Sequence, residues 1–275
     1  MSDQPQKSMI PPPGQPVIPF VNWGGMRALY VKEVKRFFKV QLQTIWAPAF
    51  TTLLYLIIFT VALGGNGREV MGHPFATFVA PGLIAMGMIN AAYANASFSL
   101  LVGKMQGTII DYLMPPLSTG EMLVALVGAS VTRAVLVGLA LWAAMLFWPG
   151  VDVIPVHLGA VIWFGLMGAI LLSLIGVLTS IWAEKFDHAA AIQNFVIGPA
   201  ALLSGTFYSI ERLHGAFQTL SHLNPFFYVI SGFRYGFIGT SDSPILIGAI
   251  SLLVLNAVLV WVNYVVLARG WKIKS

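Results

Sequence analysis

Two arginines stand where the chain is otherwise too apolar to hold a charge: Arg133 in "VGASVTRAVLVG" and Arg234 in "SGFRYGF". A guanidinium keeps its charge at any working pH, so each must be paired, hydrated or drawn out to a headgroup. The chemistry such residues can do is to handle charge, either by holding helices together or by guiding a charged group. Bond-making chemistry lacks its usual marks. The chain has no GxSxG elbow, no HExxH and no GxxxxGK[ST] nucleotide loop. Its histidines at 73, 157, 188, 214 and 222 have no ligand spacing, and it contains no cysteine. These absences predict a protein with no catalytic site, metal or cofactor of its own.

The elements that must position these residues follow from composition. Of 275 residues, 57% are hydrophobic and 9% charged, with a mean hydropathy of +0.82. Soluble domains carry roughly 25% charged residues, so this chain has too little polar surface for water. It reads as an all-α polytopic membrane protein. Six apolar runs have bilayer-crossing length: 45–63, 75–96, 122–147, 156–181, 189–208 and 244–267. Arg133 falls inside the third, some twelve residues from Glu121. It serves there either in a transport path or as a structural residue bonded to backbone, Asn or Ser groups. Small residues recur in "PGLIAMGMINAAYANAS" and allow close helix packing.

The formal net charge of +5 reports orientation rather than nucleic-acid binding. With both termini in the cytosol, eleven lysines and arginines lie inside, from Lys7 to Lys274, and only Arg68 and Arg212 lie outside. Residues 1–22 read as a disordered cytosolic tail rather than a signal peptide, because prolines interrupt any apolar core. Residues 23–270 form the membrane domain and 271–275 a second cytosolic tail. Residues 23–42 carry Leu29, Tyr30, Val34, Phe37, Phe38 and Leu42 near helical spacing among Lys32, Glu33, Lys35, Arg36 and Lys39. That pattern suits an amphipathic helix in the interface plane with its apolar face in lipid, or one packed on a soluble partner.

The loop between the second and third runs is long. Its part 101–113 reads as a short helix with Lys104 and Asp111 at the surface, stopped by Pro115 and Pro116, or as a simple tether. Between the fifth and sixth runs, Asn224-Pro225 favours a local break. The segment 211–239 is long enough to enter the outer leaflet and return as two short pieces. Arg234 is then expected at shallow depth, reaching toward the outer headgroups or a wet cavity.

Four fragments, in order, carry a family likeness: "EVKRF", "FVAPGLIAMGMINAAYANASFSLLVGKMQGTIIDYLMPPLSTGE", "IWAEKFDHAAAIQNFVIGPAALLSGTFYSI" and "LSHLNPFFYVISGFRYGFIG". The sequence resembles an ABC-2 type transporter permease, in particular the bacterial YadH group, over nearly all of the chain after the proline-rich tail. The resemblance implies a six-span subunit of the bacterial inner membrane that dimerises and pairs with two copies of an ATP-binding subunit. ATP and Mg would be bound by that partner. It further implies an interface helix at 23–42 and a coupling helix at 101–113, which holds Leu101, Lys104, Gly107 and Asp111. Glu121 matches the acidic residue opening span three, and 184–188, with Glu184 and Lys185, a lesser contact. Asn224, Pro225 and Arg234 fall in the re-entrant pair at 213–239. The implied activity is export of a hydrophobic or amphipathic substrate, with membrane lipids and no nucleic acid as neighbours. A channel, a lipid-modifying enzyme and a non-transporting scaffold stand as alternatives. The channel should show a continuous polar stripe, the enzyme a cluster of His, Asp or Glu at one depth, and the scaffold no substrate-stimulated ATP hydrolysis.

Overall fold

Backbone inside hydrocarbon finds no water, so the apolar runs fold as helices that satisfy their own N–H and C=O groups. A computed structural model describes residues 20–63, 69–148, 150–210 and 215–272. The tail to residue 19, Arg68, Arg212 and Lys274 lie outside the described residues. In chain order the helices are α1 (Trp23–Phe38), α2 (Ala47–Leu63), α3 (Phe75–Met105), α4 (Ile110–Leu113), α5 (Thr119–Leu146) and α6 (Leu158–Trp182). They are followed by α7 (Phe186–Ile192), α8 (Gly198–Leu202), α9 (Ala216–Leu223), α10 (Pro225–Ile238) and α11 (Ile245–Arg269). The strands among the described residues are β1 (Glu69–Val70) and β2 (His73–Pro74), paired antiparallel around Met71 and Gly72. Both turn residues have positive φ, as a tight hairpin requires.

Two π-turns interrupt the helical register, Leu42–Trp46 before α2 and Gln193–Ile197 between α7 and α8. Each precedes a proline, Pro48 and Pro199. Proline supplies no N–H and its ring crowds the carbonyl four residues back, so regular winding fails just before it; the wide bonds run from the Ala47 N–H to the Leu42 carbonyl and from the Gly198 N–H to the Gln193 carbonyl. Thr44 is the residue four before Pro48.

Helix α3 is the hub. In its most apolar window 78% of residues are buried, and it packs against α2, α5, α6 and α10. A close approach lies at Gly176 of α6, where a Cβ would sit 2.7 Å from the Ala96 Cβ and 2.9 Å from the Tyr93 carbonyl. Only a glycine lets the two backbones meet so tightly. By contrast α11 is peripheral, with 17% of its apolar window buried.

Five helices among the described residues are long and apolar enough to cross a membrane: Leu42–Val61, Phe75–Met105, Thr119–Leu146, Leu158–Trp182 and Ile245–Arg269. The run expected at 189–208 is helical from Phe186 to Leu202 and stops there. It stops because the chain turns at Ser204, Gly205 (φ +76) and Thr206, whose groups are used inside the fold. The expected single helix at 101–113 is also corrected. Residues 101–105 are the end of α3, which at roughly 45 Å outreaches a 30 Å hydrocarbon core. Gly107, with φ +70, then turns the chain into the separate α4. Finally, part of the apolar face of α1 meets the protein, while Phe38 and Leu42 stay exposed. Leu29, Phe37 and also Glu33 are buried, with Leu29 clustered on Leu100, Tyr112, Met122 and Leu126.

Candidate coupling face and membrane cavity

At the end of the bundle where α3 protrudes, α1, α4 and α5 are tied by polar contacts. Ser118 caps α5: its Oγ accepts from the Glu121 N–H at 3.3 Å, and Glu121 Oε2 accepts from the Ser118 N–H at 2.8 Å. The other Glu121 oxygen accepts from the Asn22 N–H at 2.6 Å, which fastens the start of α1 to the start of α5. Glu121 therefore joins two helices rather than standing free for a partner.

The densest group centres on Glu33, which is fully buried. Its carboxylate accepts from Tyr112 Oη and Ser99 Oγ, both at 2.8 Å, and pairs with Arg36 at 2.8 Å. Arg36 also donates to the Asn95 carbonyl at 2.8 Å, and Asn95 Nδ2 donates to Ser130 Oγ at 3.0 Å. One hydrogen-bonded chain thus runs from α4 through α1 to α3 and α5. The Lys32 ammonium covers the Tyr112 ring at 3.6 Å. Burial, with the Glu33 carboxylate beside it, holds the Tyr112 phenol protonated far above the usual range. None of this was legible from spacing. The signals were the acid inside "EVKRF" and the tyrosine next to Asp111, but nothing local says that they meet.

The expected coupling residues divide. Leu101 is buried in α3. Gly107 is exposed on the turn and Asp111 on α4. Lys104, expected at the surface, is half-buried and donates to the carbonyls of Ile181 (2.7 Å) and Ala183 (2.5 Å), capping the end of α6. Glu184 and Lys185 follow that cap and are exposed. Glu184 pairs with Lys272 at 2.7 Å, which holds its carboxyl below the ordinary range. Both side chains are open to solvent, so this pair adds little stability.

The other expected group gathers around the turn after α8. Asn224 caps α10 and donates Nδ2 to the Ala200 carbonyl (2.7 Å) and to Ser204 Oγ (2.9 Å), with Pro225 as first helical residue. Arg234 lies beneath this turn and is 0% exposed. This corrects the expectation of a side chain reaching headgroups or a wet cavity. Its guanidinium pairs with Asp242 at 2.8 Å, donates to the Gly205 carbonyl at 2.5 Å, and lies 3.9 Å from the centre of the Phe78 ring. Ser209 also bonds Asp242. A Cβ at Gly82 would come within 2.9 Å of the Thr206 carbonyl and 3.2 Å of Arg234 Nη2, so that glycine keeps the seat open. The arginine is an internal strut, and Asp242 is the partner that sequence reasoning missed.

Arg133 belongs to neither group. Its Nε and Nη2 donate to the Thr44 carbonyl at 3.3 and 3.1 Å. That is the carbonyl which Pro48 leaves without a helical donor. The same guanidinium lines a cavity of about 410 Å³ bounded by α2, α3, α5 and the second π-turn. A second, apolar cavity of about 290 Å³, between α5, α6 and α10, is walled by residues such as Trp142, Leu158 and Phe233.

A helical bundle with five span-length apolar helices among the described residues defines a polytopic α-helical membrane protein. Residues 25–238 match the ABC-2 type transporter family, and the chain belongs to it. It is similar to the inner membrane transport permease YadH of Escherichia coli K12, with 34% identity over 256 residues, 92% of this chain and 98% of that one. Nodulation protein J of Rhizobium leguminosarum bv. viciae is 24% identical over 229 residues, covering 80% and 83% of the two chains. Nodulation protein J of Sinorhizobium fredii is 30% identical over 172 residues, covering 59% and 62%. The chain is a transmembrane transporter subunit of a multi-pass inner-membrane type, associated as its family implies with an ABC ATP-binding subunit.

Proposed function

We propose that the chain is the permease half of an ATP-driven exporter. It moves a hydrophobic or amphipathic substrate across or between the leaflets of the inner membrane. Two copies form a homodimer served by two ATP-binding subunits, which hold ATP and Mg and perform all hydrolysis. The observation that carries this reading is the contact chain from α4 to the span helices through Tyr112, Glu33 and Arg36. A partner that pushes on α4 moves a rigid polar link rather than a loose loop. ATP closes the partner, the link shifts α1 and α3, and the spans exchange between two packed arrangements.

The reading includes six crossings with both termini in the cytosol. The short α7–α8 segment is the fifth crossing, and α9 and α10 form the outer re-entrant pair. Because the chain has no cysteine, single introduced ones report cleanly. Asp111→Cys should be labelled only from the cytosolic side and Gly72→Cys only from the outside. Labelling of position 111 from outside would reverse the topology.

Function is tested with the ATP-binding partner and the full chain in proteoliposomes. ATP-dependent substrate movement by a complex with two copies of each subunit is expected, and an active lone permease would end this reading. The docking face is tested in the same preparation. Nothing lies within 4 Å of where a Gly107 side chain would begin, but its positive φ strains any other residue by about 1–2 kcal/mol. Gly107→Trp should therefore leave the spans folded and reduce retention of the ATPase. Unchanged retention would move the docking face away from α4.

A further inference from the structure

The cavity beside Arg133 is built around a charge that no ion pair among the described residues neutralises. Arg133 is 8% exposed and stands at the middle of α5, roughly 20 Å of helix from Thr119. Its one hydrogen-bond acceptor is the neutral Thr44 carbonyl, which takes Nε and Nη2 together. Nη1 has no acceptor among the described residues. The buried carboxylates among the described residues are committed elsewhere, Glu121 to the Asn22 and Ser118 N–H groups. Glu33 holds Arg36, Ser99 and Tyr112, and Asp242 holds Arg234 and Ser209. No described carboxylate forms an ion pair with Arg133. Its counterpart at the other site shows the contrast, because buried Arg234 has a carboxylate at 2.8 Å.

The walls of the cavity suit a polar head on an apolar body. Gln43, Thr51, Tyr55, Asn90 and Gln193 line it with Arg133, among alanine, leucine and methionine side chains. Gln193 donates Nε2 to Asn90 Oδ1 at 3.0 Å, which leaves the Asn90 amide N–H₂ as a donor beside the guanidinium wall. Thr51 and Tyr55 are exposed on α2, so the cavity opens sideways at the apolar surface of the bundle. A buried cation with free donors, reached from a lipid-facing side, attracts an anion carrying a hydrocarbon tail.

We infer that this cavity binds the anionic headgroup, phosphate or carboxylate, of an amphiphile, with Arg133 as its counter-charge. The inference deepens the transport reading and rests on it only for the claim that the bound amphiphile is cargo. As cargo, the amphiphile enters laterally, and its head replaces the missing carboxylate while its tail lies along α2 and α3.

The test uses the purified full chain in a neutral maltoside detergent, titrated with dodecyl phosphate and with dodecylphosphocholine and followed by native mass spectrometry. The two probes share a tail and differ in headgroup charge. One dodecyl phosphate per chain should bind about tenfold more tightly than the zwitterion. Arg133→Gln should abolish that preference. Thr51→Glu, which sets a carboxylate at the mouth without touching the guanidinium's anchor, should do the same in a chain that melts like the parent. Equal binding of the two probes by the parent chain would overturn the proposal, as would a preference that survives either folded variant. A second arm separates the sources of the headgroup. Protein taken from vesicles of phosphatidylcholine with phosphatidylglycerol should release any held phosphatidylglycerol to dodecyl phosphate. Phosphatidylglycerol that is held one per chain and not displaced would make this a resident-lipid site and overturn the cargo claim. If the anion preference holds but no ATP-driven movement is found, the transport reading falls and the anion site stands.

Discussion

Replacing Arg234 by alanine should cost the fold about 3–5 kcal/mol, the usual penalty for breaking a buried ion pair by removing one partner. The loss is large because the substitution strands Asp242 without its counter-charge and leaves the Gly205 and Thr206 carbonyls without a donor. It also empties space against Phe78. The variant should purify poorly, melt well below the parent in detergent, and become sensitive to protease at the turn 203–209. Asp242→Asn should behave similarly, since it leaves the guanidinium charged and unpaired. Arg234→Lys keeps the charge but cannot fork between a carboxylate and a carbonyl, so it should fall between them. An Arg234→Ala chain with the parent's melting temperature and impaired transport would return this residue to the substrate exit.

Glu33→Ala should separate ATP hydrolysis from transport. Among the described residues, Glu33 receives contacts from α1 itself, α3 and α4 together. Its removal loosens α4, which keeps the Tyr112 bond to the Ser99 carbonyl at 3.3 Å and its apolar packing. Arg36 is 26% exposed at its side chain, so water can solvate it once its partner is gone. The chain should fold, bind its ATPase and support hydrolysis, while substrate moved per ATP falls by about tenfold, the size expected when a coupling contact is lost. Tyr112→Phe removes one of the three contacts and should show a smaller fall in the same direction. Parent-like stoichiometry in Glu33→Ala would show that force reaches the spans by another route.

Local pattern carried much of this molecule. The apolar runs, the amphipathic α1 and the break at Asn224-Pro225 are each set by residues within a turn or two of one another, and each reads directly. What failed to read is set by groups that are distant in sequence. Arg234 looked like a residue in search of a headgroup because its acceptors, Gly205 and Thr206, lie almost thirty residues earlier, on a turn that itself looked like the end of an apolar span. Asp242, only eight residues on, was the available clue. Lys104 looked like a surface charge because the end of α6, which it caps, is far along the chain. The helix expected at 101–113 split because the apolar pattern of α3 continues past the bilayer edge and only Gly107 ends it. Glu33 hid among the basic residues of α1, where a charge is ordinarily solvated.

The π-turns before Pro48 and Pro199 make the number of residues in these helices a constraint, apart from which residues they are. Each turn accommodates one residue more than a regular helix would need for the same rise. Taking one away from 42–46 would restore ordinary winding and turn α1 by about 100° against α2, the angle of a single helical step. Leu29, Glu33 and Phe37 would then face away from α3 and α5, and the Thr44 carbonyl would leave its place under Arg133. A change of side chain at most of these positions alters one contact. A change of length shifts the register of every contact that follows.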